Sequence, residues 1–540
     1  MRVIVIGAGL AGTLTALELA KDSAVEVTLL EMAGEVLPAT SSSINECYRL
    51  HMGLHYAKDE YTAINCLLKS IDFAKTFPQF VSGYDDPHAP WRRGRHYVMS
   101  NSLVSVEHVK SIAAVIARRY ADLVLQDSTN KVFGEPADFI RYLDATEHTN
   151  LAESIPFYDE HGVRQPDVHV SCALETGESQ LEIVSFKAYL KEQIEKHPRI
   201  SFLPASEVVS IEQDPRTLGY RVSSLRFTEL CTHSGDAVVN CSWQNIEKLN
   251  STAGIELADQ HRVNRLKASI LVQLPAELIK MNSSIFSLGP YACITIMPNG
   301  TAVLTSERTT NIASFNAGAM DDSSEQMREC VASLTLSTAT GREIANKILD
   351  ECASYLNPEL AEKLRSARIL ELRLGFVKLM EHDATYTKSS IYQANSMIHE
   401  RPIEGVEVHR PGYISNAGMK MIYTLHNARQ VAEILMQHMH EMSMLSGEEK
   451  ISWPLNTISL KRLVHVRSAS ALTLFSPILA EGKDLSHSSS MPSLGRPGHS
   501  SPVSFWGTCP SPLSCEDEDA GDVALYFGCA SPRPDLFPHK

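Results

Sequence analysis

The sequence has no hydrophobic run long enough to cross a membrane, no CxxC pair and no excess of positive charge. A spanning helix needs about 20 consecutive apolar residues. The longest candidate, the uncharged run from Val3 to Leu17, is interrupted by Gly7, Gly9 and Gly12 and stopped by Glu18. After Met1-Arg2 that run imitates a secretory leader only in outline, so the chain reads as soluble and cytoplasmic, with no transmembrane segment. The 11 cysteines are odd in number and lack paired spacing, which suits reduced thiols better than a disulfide framework or a zinc site. Lys and Arg total 49 against 64 for Asp and Glu, a net charge of -15. Such a balance repels phosphate backbones, and no nucleic-acid partner is expected.

What is present is ordinary globular material. Hydrophobic residues make up 44% and charged residues 21% of the 540, enough apolar side chain for a sizeable core. At roughly 100–200 residues per domain the length predicts about three domains. From about Ser446 the composition changes: ten of the 26 prolines follow Lys450, beside Ser488-Ser489-Ser490 and the acidic run Glu516-Asp517-Glu518-Asp519. Residues 446–540 therefore read as a disordered tail that cannot offset its ordering entropy.

The first 31 residues change period in the order strand, glycine turn, helix, strand. Val3-Ile4-Val5-Ile6 is a β-branched run suited to a strand buried on both faces, Leu10, Leu14, Leu17 and Ala20 recur at helical spacing, and Val25 to Leu30 is strand-like again. Between the first strand and the helix stands Gly7-Ala8-Gly9-Leu10-Ala11-Gly12, a GxGxxG, and Glu31 follows at the end of the second strand. In that context the glycines allow a tight turn, close approach to a pyrophosphate and close helix–strand packing, while the carboxylate can accept hydrogen bonds from ribose hydroxyls. The helix N-terminus meets the negative charge. A dinucleotide is implied, FAD or NAD.

Two further blocks carry similar periodicity. Ser185 to Lys196 reads as a helix, and Ile200 to Leu203, Val208 to Gln213, Tyr220 to Leu225 and Ala237 to Val239 as strands. A last block begins near Val406 and closes with a helix over Met421 to Met439, with Leu425, Ala428, Val431, Ala432, Leu435 and Met436 on one face.

Ser41-Ser42-Ser43-Ile44-Asn45 and Arg49-Leu50-His51-Met52-Gly53-Leu54-His55-Tyr56 resemble the post-strand segment of the D-amino-acid-oxidase-like FAD-dependent oxidoreductases. Three later segments agree in order: Glu178 to Asp214, Val238-Val239-Asn240-Cys241-Ser242-Trp243, and Pro411-Gly412 through Gly418-Met419-Lys420-Met421. The resemblance covers about residues 1–445 and implies an α/β fold: a Rossmann-like FAD-binding domain assembled from residues 1–60, 176–260 and 371–445, and a substrate domain from 61–175 and 261–370 on a mixed or antiparallel sheet. It implies FAD as cofactor and removal of a hydride from a C–H bond next to an amine or hydroxyl of a small molecule, an amine or a hydroxy acid. The cofactor residues it implies are Gly7, Gly9, Gly12, Glu31, Ser42, Arg49, Val208, Gly418 and Met419.

Two departures from the family pattern bear on how closely the backbone approaches the cofactor and on the substrate site, respectively. Trp243 stands where glycine is usual, and Gly375-Phe376-Val377-Lys378 stands in place of a GxRP stretch. Catalytic candidates are His51 or His55 facing the flavin, Tyr56 bonding a substrate carboxylate, and Lys420 stabilising negative charge on the flavin ring. A guanidinium for a substrate carboxylate would come from Arg49, Arg92, Arg93, Arg95, Arg373 or Arg410. Cys47 and Cys241 read as small packed hydrophobes. The competing class is a non-catalytic binding protein resembling Rab GDP-dissociation inhibitors, which share the nucleotide-binding architecture.

Overall fold

A computed structural model describes residues 1–445 apart from 46–47, 84–92, 218, 256–260, 317–329, 332, 382–387 and 402–404. Cys47, Arg92 and the tail from 446 thus lie outside the described residues. Within them, Arg2–Ile6 is the strand expected from the β-branched run, and Val3 to Ile6 are buried on both faces as a central parallel strand requires. It pairs in parallel with Glu26–Leu30 on one side and Ala237–Asn240 on the other. Ile200–Leu203 extends the sheet beyond Glu26–Leu30, and Tyr413–Asn416 beyond Ala237–Asn240. Val406–Arg410 closes that edge in antiparallel register. The strands of this sheet come from three separated stretches of chain, the arrangement expected of the nucleotide-binding domain.

The helix Leu10–Leu19 starts directly at Gly9, which caps it without a side chain. Gly7 takes φ +93°, a conformation costly for any residue with a Cβ, and a Cβ there would lie 2.8 Å from the Cys241 carbonyl oxygen. Gly12 is held more tightly still, because its Cβ would fall 1.8 Å from the Gly7 carbonyl oxygen. Leu10 and Leu14 pack in one core with Leu425, Ala428, Val431 and Leu435 of the last described helix, Thr424–Leu445. Each leucine or valine buried there contributes about 1.5–3 kcal/mol. That helix begins three residues later than expected, since Met421–Tyr423 forms a 3₁₀ turn. The opposite face of the sheet is covered by an antiparallel ribbon of Ser206–Gln213, Tyr220–Arg226 and Glu229–Gly235, through Ile211, Tyr220 and Val222. The last of these strands went unread in the sequence, because Glu229 to Gly235 carries little apolar alternation.

The second sheet is mixed. In order it runs Asn311–Asn316, His261–Gln273, Thr301–Ser306, Ala292–Ile296, Ser284–Ser287, Gly94–Met99, Val170–Thr176 and Ile140–Tyr142, with Arg368–Glu381 also paired to His261–Gln273. Its pairings are antiparallel except between Ser284–Ser287 and Gly94–Met99. The strand Arg368–Glu381 therefore belongs to this sheet along its whole length rather than to the parallel one, although the expected boundary fell at 371. Among the described residues no helix is long and apolar enough to cross a membrane.

Gly12→Ala should lower stability by about 3 kcal/mol or more, the upper range for forcing atoms into a filled space. Gly34→Ala, where an added Cβ meets nothing within 4 Å, should leave urea unfolding unchanged.

Candidate functional site

The C-terminal ends of the parallel strands open into a cavity of about 510 Å³. Ligands bind there in doubly wound sheets because loops and helix N-termini converge at that edge. Gly7, Gly9, Glu31, Ser42, Arg49, Val208, Gly418, Met419, His51, His55, Tyr56 and Lys420 all line it. Gly12 does not. Its place is beneath the turn, where it lets the helix sit against Gly7.

At one end of the cavity the Glu31 carboxylate accepts hydrogen bonds from the backbone N–H of Ala8 (2.6 Å) and Ala33 (2.8 Å). Burial pushes its pKa up, and these backbone bonds oppose the shift. Val208 and Leu249 wall this end, packed in one cluster with Ile6 and Leu30. Gly9 lines the cavity directly above the helix start; a Cβ there would point at Ser41 Oγ, 3.5 Å away. A bare backbone turn at a helix N-terminus with a carboxylate beside it fits the pyrophosphate and ribose of FAD. The loop Ala417 to Met421 brings Gly418, in the left-handed region at φ +53°, beside Ala11. Ser42 Oγ accepts from Phe376 N–H at 3.0 Å and so ties the post-strand segment to the second sheet.

Trp243 adopts φ +55°, the conformation glycine takes freely and tryptophan rarely does. Its indole N–H donates to the Phe376 carbonyl at 2.8 Å, which holds the ring across the cavity wall. A residue that fills space thus holds a left-handed backbone position there. Lys378 does not face the cavity: its ammonium is buried against the Glu247 carboxylate, and burial lowers its pKa.

Arg49 is turned inward. Its Nε lies 2.6 Å from Glu178 Oε1, both side chains being buried. His51 Nδ1 approaches the same carboxylate at 3.6 Å and His96 Nε2 at 3.5 Å. Burial alone would raise the Glu178 pKa, but Arg49 and the two imidazoles outweigh it and hold the group well below the usual carboxylate range. His51 and His55 stack, with centroids 4.7 Å apart and planes 19° from parallel. Tyr56 is buried, its hydroxyl accepts from Lys420 Nζ at 2.6 Å, and the Arg401 guanidinium stands 5.3 Å over its ring.

The other arginines named from the sequence go elsewhere. Arg93 and Arg95 pair with Glu175, Arg373 with Glu371, and Arg410 donates to the Gly254 carbonyl. In their place the cavity holds Arg265, Lys267, Glu307, His399 and Arg401. Lys267 Nζ lies 2.6 Å and Arg265 3.5 Å from the Glu307 carboxylate. Despite burial, these two cations bring Glu307 down to about 2. Burial, then Lys58, brings His399 down to about 4. None of the five sits in a motif. Arg265 and Lys267, two apart on the strand His261–Gln273, both face the cavity, and that spacing is the signal the sequence did offer.

The whole arrangement is that of a dinucleotide fold with a polar chamber beside it. The model of the DAO family of FAD-dependent oxidoreductases matches residues 2–419, and the chain belongs to that family. It is an FAD-dependent oxidoreductase, and the match favours catalysis over the binding-protein alternative. Among solved structures, glycine oxidase from Geobacillus kaustophilus is similar at a TM-score of 0.50 and 15% identity, over 85% of this chain and 98% of that one. L-alpha-glycerophosphate oxidase from Mycoplasma pneumoniae, solved with FAD bound, is similar at 0.50 and 14%, over 84% and 96%. L-amino acid deaminase from Proteus vulgaris is similar at 0.50 and 12%, over 84% and 95%. No curated protein matches the chain.

Glu31→Ala should weaken FAD binding by about 1.5–3 kcal/mol, the worth of a hydrogen bond to a charged group. Dialysis followed by flavin absorbance checks it: unchanged retention would remove Glu31 from the ribose site.

Proposed function

We propose that the protein oxidises a small molecule at a C–H bond next to an amine or hydroxyl, with FAD as hydride acceptor. The observation that carries this reading is one continuous cavity. It runs from Gly7, Gly9 and Glu31 to the cluster of Tyr56, Lys420, Arg401, Arg265 and His55, so a cofactor held at the first end would present its ring to a substrate held at the second.

When bound, FAD supplies a two-electron acceptor, and the protein supplies geometry and electrostatics. Gly7, Gly9 and the helix N-terminus would hold the pyrophosphate, Glu31 the ribose, Val208 the adenosine end, and Ser42, Gly418 and Met419 the ring end. Arg49 supports this segment from behind through Glu178. Arg401 and Lys420, both on the Tyr56 ring, can orient an anionic group of the substrate. Lys420 can also stabilise negative charge that develops on the cofactor, since its ammonium sits at the cavity in a partly desolvated place. A cytoplasmic setting is consistent with the seven free cysteines among the described residues.

The purified protein should show the absorption bands of oxidised flavin, and acid denaturation should release the flavin into the supernatant. A colourless protein that FAD cannot reconstitute would overturn the reading, and a yellow precipitate would show covalent attachment. Lys420→Met should lower the bound-flavin reduction potential by about 20–40 mV, near 1–2 kcal/mol for a two-electron couple. An unaltered potential with full FAD content would leave Lys420 to the substrate alone.

A further inference from the structure

The cations that line the cavity are unevenly placed. Arg49 is paired with Glu178, Arg265 and Lys267 with Glu307, and Arg401 and Lys420 stand on the Tyr56 ring. One other remains. Lys248 lines the nucleotide end, and its ammonium has no carboxylate or hydrogen-bond partner among the described residues.

The helix Ile246–Thr252 that carries Lys248 is fixed from behind. The Glu247 carboxylate is buried against Lys378, and Leu249 packs with Leu30 and Val208. Asn250 donates to Ser415 Oγ at 3.0 Å and accepts from the Tyr413 hydroxyl at 2.9 Å, while Thr252 Oγ1 accepts from the Ile211 N–H at 3.0 Å. The residues on either side of Lys248 are buried and Lys248 is exposed, which leaves its side chain at the rim of the cavity. The rim is close to the glycine turn. A Cβ on Gly7 would lie 2.8 Å from the Cys241 carbonyl oxygen and 3.3 Å from Ser242 Cα, and from Ser242 the chain passes through the 3₁₀ turn Trp243–Asn245 directly into this helix.

A diphosphate brings two negative charges to this end of the cavity, where the acids Glu31 and Glu207 are lining residues too. Against them the glycine turn offers backbone N–H groups and a helix N-terminus equivalent to about half a positive charge. A phosphate leaving water is held best by a donor that carries a full charge. Among the described residues Lys248 is the cation that lines this end. A separate observation points to a ligand beside it: Met32, which follows Glu31 and lines the same end, is 48% exposed, a soft apolar side chain suited to contact with an aromatic ring such as adenine.

Resting on the flavoenzyme reading above, we propose that Lys248 is a cofactor-binding residue whose ammonium pairs with the diphosphate of FAD. The glycine turn fixes where the diphosphate sits, and Lys248 sets how tightly it is kept. Because the contact is with a phosphate at the cavity rim, it favours a flavin that carries the adenylate half over riboflavin, and it weakens as salt rises.

The test titrates FAD into flavin-stripped, full-length protein, followed by quenching of flavin fluorescence. At low salt Lys248→Gln should weaken FAD binding about three- to tenfold, the range for a charge contact at a partly exposed site, and Lys248→Arg should keep most of the affinity. ADP, which has the diphosphate without the flavin, should lose the same factor as a competitor, whereas riboflavin binding should be unchanged. At about 1 M salt, where the screening length falls to about 3 Å, the unaltered protein and Lys248→Gln should converge. Lys191→Gln removes the same charge from the helix Ile183–Lys196, which does not line the cavity, and should change nothing. An unchanged FAD affinity in Lys248→Gln, a loss undiminished at high salt, an equal loss for riboflavin or an equal loss in Lys191→Gln would each overturn the proposal and leave the flavoenzyme reading in place. Failure of the unaltered protein to take up FAD would overturn both.

Discussion

A carboxylate sealed away from water must be matched by positive charge and hydrogen-bond donors, or its cost exceeds that of most other interactions in a fold. Glu178 meets that demand with groups from distant parts of the chain: Arg49, His51 and the Met52 amide from the segment after the second strand, and His96 from the mixed sheet. Satisfying one buried charge thereby fixes the path of residues 49–56 relative to the mixed sheet. His55 and Tyr56 follow on that path, and the orientation of the chamber wall depends on it. Arg49 thus ties the chamber wall to Glu178 while also lining the cavity.

The nucleotide end of the site was legible because its chemistry is local. A turn that must approach a pyrophosphate needs glycines at set spacing, and the strand that follows needs a carboxylate at its end; Gly7, Gly9, Gly12 and Glu31 satisfy both within 31 residues. The substrate end was legible only in His55, Tyr56 and Lys420, because its other members meet only through the tertiary fold. Arg265 and Lys267 come from one strand, Glu307 from the short helix after another, and Arg401 from the segment after the 3₁₀ turn Met397–His399. Arg93 and Arg95, named among the candidate guanidiniums, are paired with Glu175 instead. Sequence distance carries no information about which guanidinium a sheet turns inward.

Trp243 carries a left-handed backbone conformation that glycine adopts freely, at a cost of about 1–3 kcal/mol. The indole bond to Phe376 and the packing of Trp243 against the cluster of Leu266, Leu334 and Phe376 offset that cost. The same bond joins the strand end at Ala237–Asn240 to the strand Arg368–Glu381, so Trp243 links the parallel sheet to the mixed one where glycine could not.

The interleaving of the parallel sheet has a consequence for how the molecule is made. Arg2–Ile6 emerges first but finds its second neighbour only when Ala237–Asn240 exists, and that strand waits in turn for Tyr413–Asn416. Until then the central strand is a buried-type apolar ribbon with one open edge, the kind of surface that invites pairing with other chains. Closure of the sheet is thus deferred to the last strands and the helix Thr424–Leu445, which makes a nascent chain stopped short of residue 413 a natural client for chaperones rather than a smaller version of the finished protein.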